Sequence, residues 1–142
     1  MTNAADFAKM NEGVIKEFRE NEGQVGGMFA GSPLALVHHF GAKSGIERIA
    51  PLVYLDDDGR IFIFASKGGD PKHPDWYHNL VATPRTTVEI GNETIEVTAT
   101  VITGEERDVI YAKQCAVAPQ FTDYQNKTTR VIPVVELVRT SG

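Results

Sequence analysis

Two tight turns constrain this chain more than any other feature. Asp56-Asp57-Asp58-Gly59-Arg60 and Gly91-Asn92 each stand between two runs of strand-forming residues. A connection that short joins neighbouring strands only in antiparallel fashion. The first links a run over 48–55 to one over 61–65, and the second links 87–91 to 93–103. Runs over 34–40 and 131–138 complete a set of six expected strands. After Asn92, Ile95, Val97, Ala99 and Val101 alternate with Glu96, Thr98 and Thr100, the pattern of a strand buried on one face.

Helical signals sit between and around these runs. Phe7, Met10, Val14, Ile15 and Phe18 make an apolar stripe over 6–20, ended by Asn21, Glu22 and Gly23. The stripe carries no cationic face and is expected to pack on the domain. Residues 74–82 form a short helix with Pro74 in its first turn, and Thr103-Gly104-Glu105-Glu106 is a capping box opening a helix to about Ala116. Residues 117–129 read as irregular or weakly helical. The Gly-rich stretch 23–33 carries Val25, Met28 and Phe29, which are expected to cover a pocket or a barrel end. The strands are not separated by regular helices. The expected fold is therefore mainly β with peripheral helices, a closed or half-closed antiparallel barrel.

Composition narrows the function. The 142 residues suit one domain, 1–142, with 42% apolar and 23% charged residues arguing against disorder. Fourteen basic against nineteen acidic side chains give a net charge of −5, which disfavours nucleic-acid binding. A single cysteine excludes an internal disulfide and a thiolate zinc cluster. No apolar run reaches the ~18 residues of a membrane span. The opening MTNAADFAKM lacks a signal peptide's apolar core. A soluble, cytoplasmic protein is expected.

Few motifs nominate chemistry. Gly41-Ala42-Lys43-Ser44-Gly45 fails as a P-loop, since Ala42 precedes Lys43 and a strand follows. It remains a turn that either holds an anion on backbone N–H groups and Lys43 or is simply solvated. Arg48 opens the next strand and could reach the same anion. Ala65-Ser66-Lys67-Gly68-Gly69-Asp70-Pro71 follows the apolar run Ile61-Phe62-Ile63-Phe64, and small residues there allow a planar ligand close to the backbone. Trp76 and Tyr77 suit core packing, and Asn79 could hydrogen-bond a ligand. His38 and His39 point to opposite faces of a strand, and no histidine pair has metal-ligand spacing, so no metal site is expected. Cys115 has no base beside it, and no nucleophile motif occurs.

These segments, followed by Pro74-Asp75-Trp76-Tyr77-His78-Asn79-Leu80, Asp123-Tyr124-Gln125 and Ile132-Pro133-Val134-Val135, succeed one another in the order and spacing of a known family. From Asn11 to Val135 the chain resembles the deazaflavin-dependent nitroreductases of actinobacteria, quinone and nitro reductases that use reduced coenzyme F420. The resemblance implies a split β-barrel of the flavin-binding type. It implies that Lys43, Ser44 and Arg48 hold the cofactor's phosphate. Ile49, Ala50, Pro51, Leu52 and Val53 would line its tail and ring. Phe64, Ala65, Ser66 and Lys67 would lie along the ring, with backbone amides facing its carbonyl edge. Asp75, Trp76, Tyr77, His78, Asn79 and Phe121 would complete the cofactor site, with Trp76 and Asn79 closing it, and Tyr124 would be the catalytic contact to the acceptor.

Two departures matter. Ala42 stands where the family's turn usually has Arg, removing one phosphate cation. The Tyr-rich segment of nitroimidazole-activating members is Ala118, Phe121 and Tyr124 here, so quinone-like acceptors fit better. An FMN-binding split-barrel oxidoreductase and a non-catalytic deazaflavin-binding protein are the rival readings. Monomer or homodimer, and contact with the inner face of the cell membrane, stay open.

Overall fold

The computed structural model describes residues 4–21 and 33–140, with side chains of the first helix described from Glu12 onward. The stretch 23–32 with Val25, Met28 and Phe29 lies outside the described residues, as do the side chains of Phe7 and Met10. The chain runs α1 (Ala4–Glu20), β1 (Leu34–Phe40), β2 (Glu47–Asp57), β3 (Arg60–Phe64), a 3₁₀ turn (Lys67–Gly69), α2 (Asp75–Ala82), β4 (Arg85–Ile90), β5 (Glu93–Ile102), α3 (Gly104–Val117), α4 (Gln120–Asn126) and β6 (Val134–Arg139). The strands close a barrel in the order β1-β2-β3-β6-β5-β4, and every pair is antiparallel.

Strand alternation sorts the apolar residues into layers. Ala35 and Val37 of β1, Ile61 and Ile63 of β3, Val88, Ile95, Val97, Val135 and Leu137 fill the interior, with Trp76 and Leu80 of α2 joining them. The opposite face of β1 and β2 lies under α1, where Phe18 is buried with Leu34 and Leu36 against Ile49 and Val53. Phe62, Phe64, Ile102 and Val134 face outward under α3 and α4, against Ile110, Tyr111 and Phe121. Helix α1 is also fastened by charge: Arg19 donates two hydrogen bonds to Glu89, at 3.0 and 2.8 Å, and Glu89 lies 2.7 Å from His38 Nε2.

Four local expectations change. Residues 117–129 contain α4, which starts behind Pro119 and buries Phe121. Thr103 caps α3 only by its extended backbone, because its side chain makes no capping hydrogen bond. The last strand begins at Val134 instead of residue 131: Ile132 donates its N–H to Gln125 and its carbonyl accepts from Arg107, so side chains take the groups a ladder would use. Burial in β5 is not confined to one face, since Val101 is 39% exposed and Ile102 is 9% exposed under the helices.

Candidate functional site

The barrel is split where β2 and β3 separate. Their ladder runs from Asp57↔Arg60 to Tyr54↔Ile63 and stops there. The next residues are Val53 and Phe64, and Pro51 two positions on has no N–H to continue a ladder. From Glu47 to Val53 strand β2 is paired with β1 alone. One edge of the segment 48–53 therefore diverges from the chain that leaves β3 at Ala65, and the family resemblance implies cofactor contacts for both stretches.

The segment 48–53 does not present one surface. Ala50 and Leu52 pack toward the barrel interior, whereas Ile49 and Val53 lie on the other face beneath α1. Period-two alternation makes this unavoidable. Pro51 is buried, and Arg48 is exposed opposite His39.

The turn before β2 is built for close approach. Gly45 has φ +71°, and a Cβ on Gly41 would collide with Ser44 Oγ. Ser44 Oγ accepts the Ile46 N–H at 3.2 Å, so its acceptor is partly engaged locally. The Ala42 N–H is bonded to Asn79 Oδ1 at 3.0 Å. Asn79 is 8% exposed, and its Nδ2 donates to His39 Nδ1 at 2.9 Å. An amide nitrogen must donate, so this ring nitrogen accepts and carries no proton. Burial, followed by the charge of Arg48, lowers the His39 pKa to about 4. Asn79 thus ties α2 to the turn through one end of its amide and to β1 through the other. Elsewhere on α2, Trp76 packs in the interior, Tyr77 is half-buried against it, and Asp75 and His78 are exposed.

The chain after β3 is ordered by a residue that sequence reasoning missed. Arg130 donates from Nε to the Asp70 carbonyl at 2.8 Å, from Nη1 to the Ala65 carbonyl at 3.0 Å and from Nη2 to the Ser66 carbonyl at 2.8 Å. Its Nη1 also reaches His73 Nδ1 at 3.0 Å, and the His73 ring lies 4.9 Å from that of Tyr77. Lys67 adopts φ +46°, a left-handed conformation costing a non-glycine residue about 1–2 kcal/mol. Gly69, at φ +86°, sits so close to α4 that a Cβ would lie 2.8 Å from the Tyr124 carbonyl. The same loop therefore touches α2 on one side and α4 on the other. Arg130 and Gln125 form a second layer: Gln125 donates to the Arg130 carbonyl at 2.7 Å and accepts from Arg107 at 2.7 Å. No local pattern announces Arg130, because its acceptors lie 57 to 65 residues away in the chain.

On α4, Phe121 is buried between Phe64, at 5.6 Å between ring centroids, and Tyr124, at 5.1 Å. Ala118 packs against the same cluster. Tyr124 is half-buried at its edge.

The charges and donors suit an anion with a planar polar group. Lys43, Arg48 and Lys67 are exposed, and none forms an ion pair among the described residues. The N–H groups of Ser66 and Lys67 make no hydrogen bond among the described residues. These features fit a phosphorylated, flat cofactor. A separate open groove of about 250 Å³, lined by Phe40, Arg85, Thr86, Glu96 and Thr140 among others, contains none of the predicted site residues.

Comparison with known proteins agrees with this geometry. Residues 12–139 match the family model described as F420H(2)-dependent quinone reductase. An F420H(2)-dependent quinone reductase of Mycobacterium tuberculosis is 38% identical over 128 residues, which cover 86% of this chain and 85% of that protein. The solved structure of an F420-H2 dependent reductase, FDR-A, superposes with a TM-score of 0.68 at 40% identity, covering 74% of this chain and 93% of that one. A structure described as a domain-swapped dimer gives a TM-score of 0.70 at 35% identity, covering 95% and 99%. With its barrel, its split and its sequence all in agreement, the chain belongs to the F420H(2)-dependent quinone reductase family.

Proposed function

We propose that this chain is an oxidoreductase that passes a hydride from reduced coenzyme F420 to a quinone. The observation that carries the reading is the match of residues 12–139 to a family named for that cofactor and that acceptor. The bound deazaflavin supplies the hydride. The chain's own task is to bind, orient and exclude water. Lys43 and Arg48 hold the phosphate by charge-assisted hydrogen bonds, with Ala42 contributing its backbone to the turn but no cation. The N–H groups of Ser66 and Lys67, which have no acceptor among the described residues, orient the ring through its carbonyl edge. Tyr124, at the rim of the Phe64–Phe121 cluster, offers its hydroxyl to the acceptor as hydrogen-bond donor and proton source.

An apolar surround at Ala118 and Phe121 favours a flat quinone over a nitroimidazole that needs several polar contacts to be oriented. The dimeric relative supports a homodimer. Among the described residues no helix is long and apolar enough to cross a membrane. Cytoplasmic placement belongs to the same proposal. The described part of the α1 stripe is already spent on the barrel, which favours a chain free of the membrane; cosedimentation with anionic vesicles tests it.

Titration with oxidised coenzyme F420 and with FMN tests the cofactor. Tighter binding of the deazaflavin is expected. A tenfold preference for FMN, about 1.4 kcal/mol, favours the FMN reading instead. Deazaflavin binding without turnover of menadione would leave a binding protein and no enzyme.

A further inference from the structure

The geometry points to Arg130 as the positioning residue that aims the Ser66 and Lys67 amides at the cofactor ring, an inference that rests on the cofactor site proposed above. The guanidinium has five N–H donors in a rigid plane. Here they meet the carbonyl oxygens of Ala65, Ser66 and Asp70 and the His73 ring nitrogen, all within 3.0 Å. All these acceptors are neutral groups; the fork spans several segments of chain instead of pairing with one carboxylate.

The consequence follows from the planarity of the peptide unit. In a trans peptide the N–H points opposite to the C=O of the same unit. The Ser66 N–H shares its plane with the Ala65 carbonyl, and the Lys67 N–H shares its plane with the Ser66 carbonyl. Arg130 draws both carbonyls to itself. Both N–H groups are therefore turned away from it, and neither finds an acceptor among the described residues. Two adjacent backbone donors turned the same way form a small cradle for an acceptor atom. Lys67 holds its left-handed conformation within this clamp, and a strained residue persists only where its surroundings over-determine it. Lysine in place of Arg130 would keep the charge but offer one ammonium to acceptors that a fork reaches together.

The test uses Arg130→Met, which keeps the stem and removes the fork, and Arg130→Lys. In the protein without cofactor, deuterium exchange at the Gly69 and Asp70 amides, which bond to Ser66 and Lys67, should accelerate at least tenfold in Arg130→Met. The Val97 amide in the barrel wall should keep its protection. Dissociation constants for coenzyme F420 and for its phosphate-free deazaflavin chromophore should then rise by the same factor, tenfold or more. Millimolar methylguanidinium should restore part of both, and Arg130→Lys should fall between wild type and Met. In Arg48→Ala only the intact cofactor should bind less tightly. Unchanged exchange at Gly69 and Asp70 overturns the inference. So does a loss confined to the intact cofactor, which would make Arg130 a phosphate ligand. If Arg130→Met does not fold, Arg130→Lys carries the same measurements, and wild-type values in it overturn the inference. Wild-type protein that binds neither deazaflavin refutes the proposed cofactor, while the exchange measurement still decides whether Arg130 orders the loop.

Discussion

Acidification should destabilise the fold through one histidine. His39 is 5% exposed, and its unprotonated Nδ1 accepts from Asn79. Burial and then Arg48 lower its pKa to about 4, although Asp75 pulls the other way. A free imidazole titrates near ~6.5. The unfolded chain therefore takes up the proton first as pH falls. Stability from this group is complete above about pH 6.5 and is lost as pH drops toward the folded value near 4. At about pH 4.5 the loss amounts to about 2–3 kcal/mol. Protonation also sets an N–H against the Asn79 NH₂. The amide must turn, and the Ala42 N–H then loses the acceptor it has at 3.0 Å. Urea unfolding of wild type and His39→Gln at pH 7 and 4.5 measures the effect. Glutamine removes the titration but can still accept from Asn79. Glu89 and His73 also have lowered pKa values, but they titrate in both proteins and cancel in the difference. Wild type should lose about 2–3 kcal/mol more than His39→Gln between the two pH values. Equal losses would refute the reasoning. Coenzyme F420 affinity of the folded wild type should hold through about pH 5 and fall only as pH nears 4, where folded His39 itself takes up the proton, and His39→Gln should lack that fall.

Arg48→Ala should weaken coenzyme F420 binding by about 1.5–3 kcal/mol, the range for a charged hydrogen bond, whereas Arg60→Ala, which breaks the Glu136 pair on the far hairpin, should leave it unchanged; fluorescence titration compares them. Gly69→Ala forces a Cβ to within 2.9 Å of the Lys127 Cβ at φ +86°, and a loss of about 2–3 kcal/mol is expected by denaturant midpoint. Tyr124→Phe should lower menadione turnover with cofactor affinity nearly intact; a variant that instead loses the cofactor places this hydroxyl on the wrong side of the site.

Local pattern made much of this fold legible. Leu34–Phe40 is a strand with the bounds its residues suggest, and both hairpin turns close where Gly59 and Gly91 supply positive φ. Period-two alternation also foretold that His38 and His39 would part: one meets Glu89, the other Asn79. The failures share a cause. Ile102 is buried because α3 and α4 fold back over it, and residues 131–133 leave the strand because Gln125 and Arg107 capture Ile132. Each is decided by side chains outside the strand's own run, which its alternation does not encode. The site divides in the same way. Glycines, Lys43 and Ala65-Ser66 are visible as motifs, because they answer to local backbone demands. Arg130 is one of two basic residues in the short stretch before a strand, and its meaning appears only when the loop after β3 arrives beside it.

The strand order also sets a schedule for folding. Strand β6 lies between β3 and β5, joining Phe62 to Glu136 and Val97 to Arg139. It is the last of the six strands to leave the ribosome. Until it does, the only strand ladder joining β1-β2-β3 to β4-β5 among the described residues is the short β1–β4 pairing of Ala35–Val37 with Val88–Ile90, and both β3 and β5 show a bare edge open to pairing with other chains. Closure then spans about seventy residues of chain, from β3 to β6, and such distant contacts slow folding. Arg130 precedes β6 by a few residues, so the loop after β3 is clamped as the barrel shuts. A nascent chain stalled before Arg130 would be both unclosed and unable to order the loop after β3.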